Sequence, residues 1–108
     1  MIQLTVLYGH PQDPAEFDRY YEEKHSLLAK KLPGLKGFTA NKPEPLNPQE
    51  GSPTYLIAEL FFEDREALQA AMQSPEGEKA ASDVANFATG GATLLIGGVQ
   101  VYHPIAMG

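Results

Sequence analysis

The sequence predicts an α+β domain in the order βαββαβ, a four-stranded antiparallel sheet with its helices on one face. Two observations carry most of that expectation. Four stretches alternate or run apolar over strand lengths, and between them lie two segments opened by helix caps followed by proline. A third is size: 108 residues suit a single domain over 1–108, burying about two-thirds of the surface its unfolded chain would expose.

The first strand is Ile2 to Tyr8, with Ile2, Leu4, Val6 and Tyr8 on one face and Gln3, Thr5 and Leu7 on the other. Gly9 ends it. Asp13-Pro14-Ala15-Glu16 then combines a capping acid, proline at the first helical position and Glu three residues after the cap. The helix should run to about Leu32, before Pro33-Gly34. At 100° per residue Phe17, Tyr21, Leu28 and Leu32 share its inner face. Arg19, Glu22, Glu23, Ser26 and Lys30 fall on the opposite, solvated side.

Leu35 to Asn41 reads as the second strand. KPEPLNPQEGSP follows, and its four prolines exclude helix and central strand, so Pro43 to Pro53 is a loop or lid. Thr54 to Phe62 is the third strand, with Leu56, Ala58, Leu60 and Phe62 on one face and Tyr55, Ile57 and Phe61 on the other, interrupted by Glu59. Asp64 caps a short helix turning Leu68, Ala71 and Met72 inward. Ser74-Pro75 restarts helix through about Phe87, and Thr89-Gly90-Gly91 closes it. Ala92 to Tyr102 is the last strand, where Gly97-Gly98 suggests a bulge or a close backbone approach.

This order is the ferredoxin-like arrangement. It leaves one sheet face bare. Tyr55, Ile57, Phe61 and one side of the last strand would form an apolar patch there, so a second copy of the chain is the expected cover, closing a barrel between the subunits of a homodimer.

Composition removes several function classes. With no cysteine, disulfide, thiolate and cysteine-ligated metal chemistry are all absent. Fourteen acidic against eight basic residues give net −6 at pH 7, which disfavours nucleic acid and anionic membranes. MIQLTVLYGH has neither the charged flank of a signal peptide nor the apolar length of a span, so the expected location is cytoplasmic. There is no GxGxxG, no GxxxxGK[ST] and no HExxH, so neither a nucleotide cofactor nor a metal is expected.

His25 is the residue best suited to chemistry. It lies one turn after Tyr21, at the edge of the apolar stripe, where it can face a pocket as a general acid–base or simply hydrogen-bond to backbone. Lys24 falls inside the stripe, so it either snorkels or offers its charge to a bound anion. Tyr20, Tyr21, Phe38, Tyr55, Phe61, Phe62 and Phe87 supply aromatic surface for an apolar ligand. Of these, Phe38, Tyr55 and Phe87, with Lys24, are the candidate binding residues, and Tyr21 joins His25 as a candidate catalytic one. His10 and His103 follow strand ends and read as surface residues.

The run from Asp13 to Phe38, with Tyr21, His25 and Pro33-Gly34-Leu35, resembles the first helix and second strand of the EthD family, named for ethyl tert-butyl ether degradation. Ser74 to Gly91, including Asp83 and Asn86 to Ala88, is similar to the same family's later helix. The resemblance implies a dimeric α/β barrel and makes His25 the pocket histidine. Its superfamily holds cofactor-free oxygenases, an isomerase and haem proteins, so fold alone selects no reaction.

Three functions are compatible with these residues. The first is an enzyme acting on a small apolar or aromatic carbonyl-bearing metabolite without a prosthetic group, with isomerisation, elimination or oxygenation following proton transfer at His25. The second is a non-catalytic binder delivering such a compound to an oxygenase system. The third is a haem protein with His25 as axial ligand.

Overall fold

The computed structural model describes residues 1–105. Its elements are β1 (Ile2–Gly9), α1 (Pro14–Tyr20), a π-helical turn (Tyr21–His25), α2 (Ser26–Ala29), β2 (Gly37–Asn41), β3 (Thr54–Phe62), α3 (Arg65–Gln73), α4 (Pro75–Asp83), a 3-10 turn (Val84–Asn86) and β4 (Ala92–Gly98). The expected caps form. Asp13 Oδ1 accepts from the Glu16 amide at 3.1 Å, Asp64 Oδ1 from that of Ala67 at 2.8 Å, and Ser74 Oγ from that of Gly77 at 3.0 Å. Each side chain satisfies an amide that the first helical turn leaves without a partner.

The strands pair antiparallel in the order β2-β3-β1-β4. This is the ferredoxin-like α+β sheet the sequence predicts. Ile2, Val6 and Tyr8 from β1 and Leu56, Ala58, Leu60 and Phe62 from β3 are buried beneath the helices. Period-two alternation places them on one face, and their burial there supplies the hydrophobic core. Among the described residues no helix is long and apolar enough to cross a membrane.

Several boundaries differ from the sequence reading. Regular helix stops at Ala29, three residues short of Leu32, and Gly34 takes φ +77° after it. A left-handed residue of that kind suits glycine and turns the chain out of helix. The second strand begins at Gly37 rather than Leu35, although the Lys36 amide still reaches the Phe61 carbonyl at 2.8 Å. The last strand ends at Gly98 and not at Tyr102.

No bulge occurs at Gly97-Gly98, which pair in register with Gln3 and Ile2. The close backbone approach lies elsewhere. A Cβ on Gly9 would sit 2.3 Å from the Gly90 carbonyl oxygen, and one on Gly90 would sit 2.3 Å from that of His10. These two glycines let the segment after α4 lie directly on the end of β1.

The register shift is beside Gly9, where Tyr8 pairs with Leu56 and Gly9 with Thr54. Tyr55 is the extra residue. A bulge breaks the alternation, so Tyr55 turns toward α1 instead of joining Ile57 and Phe61 on the bare face. Its ring meets Phe17 edge to face at 5.2 Å, and its hydroxyl donates to Asp18 at 2.8 Å.

Candidate active site

The π turn is the local feature that makes the site. The Ser26 amide bonds to the Tyr21 carbonyl, five residues back, so the helix is one residue wider there. The side-chain wheel lags accordingly. His25 and Ser26 both come inward beside Tyr21, and Lys24 swings out to solvent. Ser26, assigned to the solvated side on α-helical spacing, is therefore buried, its Oγ donating to the Glu22 carbonyl at 2.8 Å. Lys24 contributes nothing to the cavity wall.

His25 is 6% exposed. Its Nδ1 lies 3.0 Å from Asp83 Oδ2, at the end of α4, and the carboxylate also accepts from the Tyr20 hydroxyl at 2.6 Å and from Asn86 Nδ2 at 3.0 Å. Burial alone would raise the Asp83 pKa, but these three hydrogen bonds and the charge of a protonated His25 outweigh it and hold the carboxyl below its ordinary range. An ionised Asp83 can only accept, so the His25 proton resides on Nδ1. Nε2 carries the lone pair and meets no hydrogen-bond partner among the described residues. Desolvation lowers the His25 pKa against the opposing pull of Asp83, so the ring is neutral at pH 7.

Phe87 backs this pair. Its ring lies 4.6 Å from that of His25 and stacks on Tyr20 at 5.5 Å, while Tyr8, Phe17 and Tyr21 surround it at 5.2–5.7 Å. Aromatic pairs of this geometry each contribute about 0.5–1.5 kcal/mol beyond their area. They fix the imidazole plane.

In front of the pair lies a cavity of about 380 Å³, between the inner sheet face and the helices. Leu4, Phe38 and Leu60 form its floor, and Ala29, Met72 and Ala80 part of its roof. Its size falls at the lower end of the roughly 300–1,000 Å³ typical of small-molecule pockets. Leu94 on β4, 53% exposed, stands at the rim. No Lys or Arg lines it among the described residues.

Tyr8, Tyr21 and His25 all contribute to the lining. Neither phenol hydroxyl nor His25 Nε2 has a hydrogen-bond partner among the described residues, yet no buried polar atom is left unsatisfied there. These atoms therefore keep accessible surface. Tyr8 is 2% exposed and borders Tyr21 edge to face at 5.8 Å. It belongs to the cavity lining.

Of the six candidate residues, the structure brings Tyr21, His25 and Phe38 to the cavity. Phe87 acts from behind as packing. Lys24 is in solvent, and Tyr55 is held by Asp18 and lies 5.1 Å from the Lys42 ammonium, away from the cavity. The Pro43 to Pro53 loop contributes no lining residue, and the His10 ring ties it to β1 through the Ser52 carbonyl at 2.7 Å. His10 and His103 are exposed as expected. Sequence reasoning passed over Tyr8, read only as a strand residue. The need of a buried phenol for a partner, applied to Tyr21 and Tyr55, marks it equally.

The architecture defines a class: a ferredoxin-like sheet with a buried histidine–carboxylate pair behind an apolar cavity. The EthD domain model matches residues 9–91, and the chain belongs to the EthD family. It is 45% identical over 97 residues to an uncharacterized 11.0 kDa protein in the thcB-thcC intergenic region of Rhodococcus erythropolis, covering 88% of this chain and 91% of the relative. The crystal structure of an EthD family protein from Bacillus halodurans C-125 superposes with TM-score 0.86 at 35% identity, over 93% of this chain and 99% of the other.

Two more distant structures share the fold alone. One is SnoaB, a cofactor-independent oxygenase from Streptomyces nogalater (TM-score 0.65, 16% identity, 96% of each chain). The other is a hydroxynitrile lyase from Passiflora edulis (TM-score 0.72, 13% identity, 95% and 97%).

Proposed function

We propose that the chain admits a small apolar or aromatic metabolite to the cavity and moves a proton on it through His25, without a prosthetic group. The observation that carries this reading is the imidazole itself. Its Nδ1 is anchored on Asp83, its Nε2 has no partner among the described residues, and the ring lines a hollow whose other walls are apolar but for two phenols. Such a ring is neutral, oriented and basic on the side that a ligand meets, which is the requirement for a general base. SnoaB, a cofactor-independent oxygenase, and the hydroxynitrile lyase share this fold, which therefore accommodates enzymes in other proteins.

The test begins with the ligand. Native mass spectrometry of the purified protein should find a small apolar compound retained in it, which the wild type converts. His25→Ala should lower that conversion by about 10²–10⁴-fold, the usual contribution of a general base, while leaving the fold intact. Unchanged conversion by His25→Ala would dismiss the role.

A further inference from the structure

Three residues with polar groups line the cavity, His25 and the tyrosines Tyr8 and Tyr21. A phenol sealed in apolar surroundings without a partner costs about 1–3 kcal/mol. A ligand that closes the cavity would put the hydroxyls of Tyr8 and Tyr21, which have no partner among the described residues, in that position; they lie on β1 and on the π turn, with ring centroids 5.8 Å apart and His25 5.3 Å beyond Tyr21. We propose that the two hydroxyls together receive the oxygen of a neutral ketone whose adjacent C–H bond faces His25 Nε2, so that the cavity selects enolisable carbonyl compounds. This assignment rests on the proton-transfer reading and adds to it the substrate class and a second tyrosine.

The chemistry of the donors agrees. Burial raises the pKa of both phenols, so each keeps its proton at neutral pH and can donate it. A carboxylate ligand is disfavoured. No cation lines the cavity among the described residues, and the ionised Asp83 stands directly behind His25. A hydrocarbon of the same shape would leave both hydroxyls unpaired.

The step is a simple transfer. The C–H bond beside the carbonyl breaks, the proton moves to Nε2, and its electron pair becomes the enolate, whose oxygen accepts from both phenols. When the Nε2 proton first exchanges with solvent, reprotonation of the same carbon completes hydrogen exchange, and delivery of the proton to a conjugated carbon instead isomerises the compound. No oxidant or reductant enters. Donors fixed where negative charge develops supply the stabilisation.

Three probes sharing one skeleton test it: 2-tetralone, tetralin, and tetralin-2-carboxylate. Affinities are measured by calorimetry, and exchange of the tetralone α-protons in D₂O by NMR, above the uncatalysed rate. The wild type should bind the ketone more tightly than the hydrocarbon, bind the acid least, and accelerate exchange. Tyr8→Phe and Tyr21→Phe should each weaken 2-tetralone about 5- to 10-fold, the value of one hydrogen bond. The double variant should bind ketone and hydrocarbon alike, with tetralin affinity unchanged and melting confirming the fold.

If the ketone has no advantage over tetralin, or the advantage survives in the double variant, the carbonyl site is overturned while the ligand cavity stands. If the advantage depends on both tyrosines but exchange is unaltered by His25→Ala, the carbonyl site stands and the proton-transfer reading falls. If no probe binds, both fall.

Discussion

Burial strips water from the His25 ring and draws its pKa below the ordinary imidazole value of about 6.5, while the neighbouring Asp83 carboxylate pulls upward and loses. The unfolded chain therefore has the higher imidazole pKa. As pH falls through about 6.5, the unfolded state takes up a proton that the native state refuses, so this group's contribution to stability declines until the native pKa is reached. Asp83 likewise has a depressed folded pKa, and its contribution, complete above the ordinary carboxylate range, is lost as the pH falls from there to the lower native value. Denaturation of the wild type between pH 7 and 5.5, referenced to His25→Gln, should show the wild type losing stability on acidification; a gain would contradict it. Asp83→Asn should slow proton transfer about 10²-fold or more, because the amide no longer dictates which ring nitrogen carries the proton.

Most of the element order was legible in the sequence, because caps, prolines and period-two alternation are local signals. Asp13, Asp64 and Ser74 each cap as expected. What escaped were two one-residue irregularities. The wheel that placed Lys24 inward and Ser26 outward assumes 100° per residue, and the π turn at Tyr21–His25 breaks that assumption without any residue type announcing it. The bulge at Tyr55 likewise reverses an alternation that is otherwise sound from Leu56 to Phe62. Tyr21 and His25 remained identifiable because both lie at the inner edge on either spacing. Asp83, 58 residues from His25, carried only the family resemblance as a signal, since no periodicity pairs it with His25.

At the scale of the molecule, the helices cover one sheet face and leave the other open. Leu7, Ile57 and Phe61 remain partly exposed there and Leu95 is exposed, mixed with Gln3, Thr5 and Glu59, so the bare face is less apolar than expected once Tyr55 leaves it. Edge strand β4 also exposes Leu94, Leu95 and Ile96. An uncovered apolar edge invites association. A symmetric second copy over this face is the proposed cover, and sedimentation should give twice the chain mass of 11.7 kDa, with Ile57→Glu reverting to monomer; a wild type that sediments as a monomer would remove the dimer.

The proposed chemistry depends on one protonation state, a neutral His25 carrying its proton on Nδ1. Long-range ¹H–¹⁵N NMR at pH 7 reports it directly. A protonated Nδ1 and an unprotonated Nε2, with the Nε2 resonance moving when 2-tetralone is added, is the expected result, whereas a proton on Nε2 or a charged ring would contradict it.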